Sequence, residues 1–158
     1  MTVITISREM GSLGDEIAVM LAQRFNMELI VKEKVITEWL GEVATAFEQR
    51  MLSESPKFYM NPTREGPTFK ETIKKRIIDF TRDTPAVVVG MGAHLFLRGD
   101  VVNLRFIASA PVRLARIQKK YGISEAEAQM ILSQADKRYR RFIATVFDAD
   151  WESPGQYD

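Results

Sequence analysis

The start of the chain narrows the possible folds more than any other stretch. Thr2-Val3-Ile4-Thr5-Ile6-Ser7 alternates β-branched residues, and Arg8-Glu9-Met10-Gly11-Ser12-Leu13-Gly14 follows it with two glycines. From Asp15 the apolar residues Ile17, Ala18, Met20, Leu21 and Phe25 recur at helical spacing. A strand covered on both faces, a glycine-containing turn and a helix ending near Phe25-Asn26 are therefore predicted. Such a turn presents unpaired backbone N–H groups at the positive end of a helix dipole, which favours a phosphate. An ordinary glycine-eased turn without a ligand fits the same residues. The loop is not a Walker loop, because Gly14-Asp15 stands where Lys-Ser/Thr would meet the phosphates and Mg²⁺.

The rest of the chain repeats the alternation of strand and helix. Glu28 to Val31 reads as a short strand, and Glu33 to about Leu52 as one long amphipathic helix through Val35, Ile36, Trp39, Leu40, Val43, Ala44 and Phe47. Residues 53–67 hold three prolines and a glycine without periodicity, the signature of a structureless loop. A helix from Phe69 to about Arg82 leads to a buried strand at Pro85–Gly90, and Asn103–Ala108 reads as another strand. Pro111 suits the first turn of a helix to Lys120. Ser124 and Glu127 have capping-box spacing and open a helix to about Val146. Strands joined by helical crossovers predict an α/β fold with a parallel sheet between helices. Ligands in such folds sit beyond the carboxyl ends of the strands, here the loops after Ser7, Gly90 and Ala108.

Composition removes several chemistries. The 158 residues include no cysteine and a single histidine, His94. Disulfides, zinc-thiolate sites, a thiol nucleophile and a multi-histidine metal centre are excluded. No apolar run approaches the roughly 20 residues of a membrane helix, and no secretory leader is visible, so a cytoplasmic protein without membrane contact is expected. Lys and Arg total 22 against 21 Asp and Glu. That balance argues against a nucleic-acid polymer as partner. Residues 110–141 nevertheless carry eight basic against three acidic residues, which suits a small anion.

Several stretches together resemble the cytidylate kinase-like family, within the P-loop nucleoside monophosphate kinases. Ile4-Thr-Ile-Ser-Arg-Glu-Met-Gly-Ser-Leu-Gly-Asp-Glu-Ile17 is similar to the family's opening, and Val87-Val-Val-Gly-Met-Gly-Ala93 to one of its strands. The stretch from Ala110 through Gly122–Ala128 to Asp136-Lys-Arg138 resembles its lid, and Asp150-Trp151, Pro154 and Tyr157-Asp158 its C-terminal signature. The resemblance implies a three-layer P-loop NTPase-like sheet with a helical lid. It implies one domain over 1–158: a core of 1–31 and 85–158, an acceptor-binding helical insertion at about 32–84, and a lid at about 110–141. The family continues past Tyr157-Asp158 into a further strand, so this sequence is expected to lack its last strand.

The activity implied is transfer of the ATP γ-phosphoryl to a nucleoside monophosphate, CMP or dCMP by family name, with Mg²⁺. The residues Ser7, Arg8, Glu9, Met10, Gly11, Ser12, Leu13, Gly14 and Asp15 would bind the donor phosphates. Arg113, Arg116, Asp136 and Arg138 would form the catalytic set. Gly90, Met91 and Gly92 would bind the acceptor, with Arg64, Phe58 and Tyr59 standing in for missing polar contacts. The sequence departs from the family at Leu13 (a loop glycine), Met91 (an arginine) and Val31 (an aspartate), and Gly14 supplies no lysine. A catalytically impaired nucleotide-binding relative is the alternative. His94 is expected to be solvated or capping, Asp148 and Asp150 to form a polar turn, and Trp39 and Trp151 to anchor packing. No metal ligand is assigned.

Overall fold

The computed structural model describes residues 2–158. Strands β1 (Val3–Arg8), β2 (Glu28–Ile30), β3 (Ala86–Val89) and β4 (Val101–Phe106) form one parallel sheet in the order β2-β3-β1-β4. Helices fill the crossovers: α1 (Gly14–Phe25), α2 (Lys32–Lys34, running into a π-helical turn Val35–Trp39), α3 (Ala46–Glu54), α4 (Phe69–Asp83), α5 (Ala93–Phe96), α6 (Ala110–Tyr121) and α7 (Glu125–Phe147). The fold is the expected α/β sheet sandwiched between helices.

β3 explains the layering. All four of its side chains are buried, and successive residues point to opposite faces of a strand. Val87 and Val89 join Ile6 against Ala18 and Ala22 of α1. Ala86 and Val88 join Val3 against Phe69, Ile73 and Ile77 of α4 and the residues of the α2–α3 region. A strand buried on both faces reads as a continuous apolar run, which is why this one was legible. A third cluster, Ile117, Ala128 and Leu132, holds α6 to α7. The capping box opening α7 is present: Ser124 Oγ accepts from the Glu127 amide at 3.2 Å, and the Ser124 amide donates to the Glu127 carboxylate at 2.8 Å.

Two expectations are corrected. The single helix over 33–52 is two elements separated by a turn, because Thr45 and Glu48 form a second capping box and start α3 afresh. Residues 53–67 are not structureless. Pro56–Met60 form a 3₁₀ turn, Pro62 bridges Thr68, and Tyr59 is buried against the Phe142 ring at 5.0 Å. Aromatic burial orders this segment despite its prolines.

Candidate functional site

Two neighbouring features occupy the carboxyl ends of the strands: the loop Glu9–Leu13 and a cleft of about 260 Å³. The loop starts where the Glu9 amide donates to Phe106 O of β4 at 3.0 Å. Gly11 (φ 81°) and Leu13 (φ 70°) are both left-handed, so Leu13 holds a conformation that glycine would adopt without cost. Ser12 Oγ donates to Glu9 O at 2.6 Å and accepts from the Gly14 amide at 3.3 Å, closing the loop on itself. Among the described residues the amides of Met10, Gly11, Leu13, Asp15 and Glu16 have no hydrogen-bond partner within the protein. Those free donors lie together at the N-terminus of α1, an arrangement that favours an anion.

The arginines of α6 hold this loop from behind. Arg113, with 8% of its side chain exposed, donates from Nε to Met10 O at 2.8 Å and pairs with Glu9 at 2.8 Å and with both oxygens of Asp136 at 2.7 and 3.2 Å. Arg116 donates to Gly11 O at 3.0 Å. Arg105 of β4 lies 4.0 Å from Glu9 and over the Trp151 ring, and its Nε is buried without a partner. The expected set therefore separates in space. Arg113, Arg116 and Asp136 surround the back of the loop, whereas Arg138 lines the cleft.

The cleft is walled by the ends of β1 and β3, by Val31 and Lys32 at the start of α2, by Leu52–Pro56, and by α7. Ser7, Arg8, Gly90, Met91 and Gly92 line it as well, so two expected groups of residues meet there. Met91 is left-handed at φ 56° and buried, so its thioether is part of the wall. Gly92 is required by packing, since a Cβ there would lie 2.2 Å from the Phe147 ring. Ser7 accepts from Trp151 Nε1 at 2.7 Å, so its hydroxyl ties the C-terminal segment to β1. Arg64 is exposed on the Pro62–Thr68 turn and is not brought to the cleft, and Phe58 packs on Phe69. Tyr59 does line it, but its hydroxyl is buried with no partner, and burial pushes its pKa up.

Lys32 is the functional candidate that sequence reading missed. Its Nζ donates to Ser53 O at 3.3 Å and has no carboxylate partner among the described residues. Burial, followed by the charges of Arg138 and Arg8, holds its pKa below the ordinary lysine range. Three cations thus meet in one cleft, with Asp15 on Arg8 as their closest acid. The signal was the position of Lys32 just after β2, at the one strand end left out of the expected ligand loops. His94, expected to be solvated or capping, is instead buried against the cleft, stacked on Tyr157 at 4.9 Å, and burial lowers its pKa. Asp148, expected in a polar turn with Asp150, is the left-handed C-cap of α7, and Trp151 is a buried anchor as expected. Among the described residues no cluster of three or more acidic or histidine side chains is placed to hold a metal ion, and no helix is long and apolar enough to cross a membrane.

Comparison with known proteins agrees with the fold. The family model described as "Cytidylate kinase-like family" matches residues 3–158. No curated protein matches the sequence. The crystal structure of an uncharacterized protein from Eubacterium ventriosum is similar over 99% of this chain and 86% of its own, with a TM-score of 0.78 at 22% identity. Shikimate kinase from Bacteroides thetaiotaomicron covers 98% of this chain and 90% of its own, with a TM-score of 0.52 at 15% identity. At such identities the likeness is one of fold.

Proposed function

The chain belongs to the cytidylate kinase-like family, among P-loop kinase-type phosphotransferases, and from that premise we propose that it moves the ATP γ-phosphoryl to a nucleoside monophosphate, CMP or dCMP. The observation that carries this reading is the adjacency of a loop of free amides to a cleft holding Arg8, Lys32 and Arg138. Phosphoryl transfer asks a protein chiefly to position two anions in line and to neutralise charge on the group between them. The free amides of Met10, Gly11, Leu13, Asp15 and Glu16 bind the donor phosphates. Lys32 and Arg138 hold the acceptor phosphate, and Phe142, Ile143 and Met91 offer apolar surface to the nucleoside.

The scarcity of acids in the cleft favours an acceptor that is already ionised. An alcohol acceptor needs a base within hydrogen-bond reach, yet Val31 occupies the end of β2 and the one acid lining the cleft is the exposed Glu54. A phosphate oxygen needs no proton removed. Mg²⁺ bound with ATP would help neutralise the charge of the donor phosphates. Asp15, 63% exposed at the start of α1 with one carboxylate oxygen on Arg8, would offer it the other oxygen.

Turnover settles the proposal. ADP release is expected with ATP, Mg²⁺ and at least one nucleoside monophosphate, and its absence with all of them would reject the reading. The strained Leu13 and the capture of Glu9 by Arg113 favour a second reading, a nucleotide-binding relative without catalysis. Thermal stabilisation by nucleotide without turnover would establish it.

A further inference from the structure

Arg8 is treated unlike any other side chain of the loop. Two glycines from different segments make room for it. A Cβ on Gly14 would lie 2.3 Å from Arg8 Cβ and 2.7 Å from its Cγ, while a Cβ on Gly90 would lie 3.1 Å from its Nη1. The stem therefore runs past the phosphate loop, and the tip reaches the turn that ends β3. The guanidinium lies 5.1 Å from the Tyr139 ring centroid, and its Nε donates to Asp15 at 2.9 Å. Among the described residues neither Nη nitrogen has a hydrogen-bond partner. A planar guanidinium holds phosphate oxygens through such a fork. Over residues 7–15, Arg8 is the only basic side chain, and no lysine follows Gly14.

We propose that Arg8 is the cation that the phosphate loop otherwise lacks, reaching from the loop's start to the border of the cleft and neutralising the phosphoryl group in transfer. This rests on the phosphotransferase reading and adds a catalytic residue to it. In the step, an oxygen of the acceptor phosphate supplies the electron pair for the new P–O bond. The bond from the γ-phosphorus to the β–γ bridging oxygen breaks, and its pair leaves on ADP. Arg8 contributes charge and hydrogen bonds to the step and transfers no proton. Its ion pair with Asp15 and its stacking on Tyr139 hold the fork in place beforehand, which limits the reorganisation needed during the reaction.

The test compares wild type with Arg8→Ala and Arg8→Gln, the second keeping a stem between the two glycines. Two readouts are taken: steady-state turnover, and calorimetric affinity for ATP and for ADP. Expected is a fall in kcat of about 10²-fold or more, as for removal of one transition-state donor, with KM for both substrates within a few-fold. Partial recovery of Arg8→Ala by added guanidinium ion is also expected. Kcat within threefold of wild type in either folded variant overturns the proposal, as does a loss confined to KM. If wild type turns over no nucleoside monophosphate, the functional reading fails, and Arg8 is judged by affinity alone. In that case loss of the preference for ATP over ADP in Arg8→Gln supports its contact with the terminal phosphate, and a retained preference overturns it.

Discussion

The two halves of the site use their basic residues in opposite ways. Behind the phosphate loop, the Arg113 guanidinium is consumed by Glu9, Asp136 and Met10 O, and Arg116 holds Gly11 O. In the cleft, Lys32 and Arg138 have no acidic partner among the described residues, and both Nη nitrogens of Arg8 are free. Like residues thus serve unlike purposes. Charge satisfied by the fold shapes a loop that must present its amides. Charge left unsatisfied in a concave site raises the local affinity for an anion.

The sharpest way to break this contrast is to remove the satisfied arginine. Arg113→Ala leaves Asp136 and Glu9 without their partner at a nearly buried position, so chemical denaturation should show a loss of about 3 kcal/mol or more. Activity should fall with it, because the loop carbonyl of Met10 is released. A loss below 1 kcal/mol would mean that the network does not hold the loop.

Next in size is the unsatisfied arginine. Arg138→Ala should leave stability nearly unchanged and raise the acceptor KM by about 10–100-fold, the worth of a hydrogen bond to a charged group. Unchanged acceptor KM would remove Arg138 from the site.

Lys32 sharpens the comparison through pH. Its folded pKa lies below the ordinary lysine value, so over the window between the two the folded protein gives up a proton that the unfolded chain keeps. Stability from this group therefore rises with pH across that window. The charge proposed to hold the acceptor is lost over the same range, so acceptor affinity should fall as stability rises. Lys32→Met should abolish both trends. Persistence of the affinity trend in Lys32→Met would assign it to another group.

The smallest expected effect is at Tyr59. Its buried hydroxyl has no partner, so Tyr59→Phe should be neutral or stabilising by about 1 kcal/mol in thermal or chemical unfolding. Destabilisation beyond 1 kcal/mol would show that the hydroxyl has a partner in solution.

Much of the fold was legible because local patterns agreed with the global one. The Val87-Val88-Val89 run marked a strand buried on both faces, and the Ser124–Glu127 spacing marked the start of α7. The helix over 33–52 was misread because its apolar spacing continues through Gly41 and masks the capping box at Thr45 and Glu48. The segment 53–67 was misread because the burial of Tyr59 against Phe142 is a long-range contact that prolines and absent periodicity do not announce. The loop Glu9–Leu13 was readable as a glycine-containing turn between strand and helix. The cleft was readable only in part. Whether an arginine is satisfied depends on which acid the topology brings to it, and the spacing of Arg113, Asp136 and Arg138 along the chain does not tell one case from the other. Lys32 meets Arg138 because β2 ends beside α7, a property of strand order.

The most direct test of this division is the affinity for the acceptor nucleotide in Arg138→Ala protein whose unfolding midpoint matches wild type, measured by calorimetry with CMP. The account predicts binding weakened by about tenfold or more. Wild-type affinity in that variant would contradict it, because the free charge of the cleft would then have no part in holding the anion.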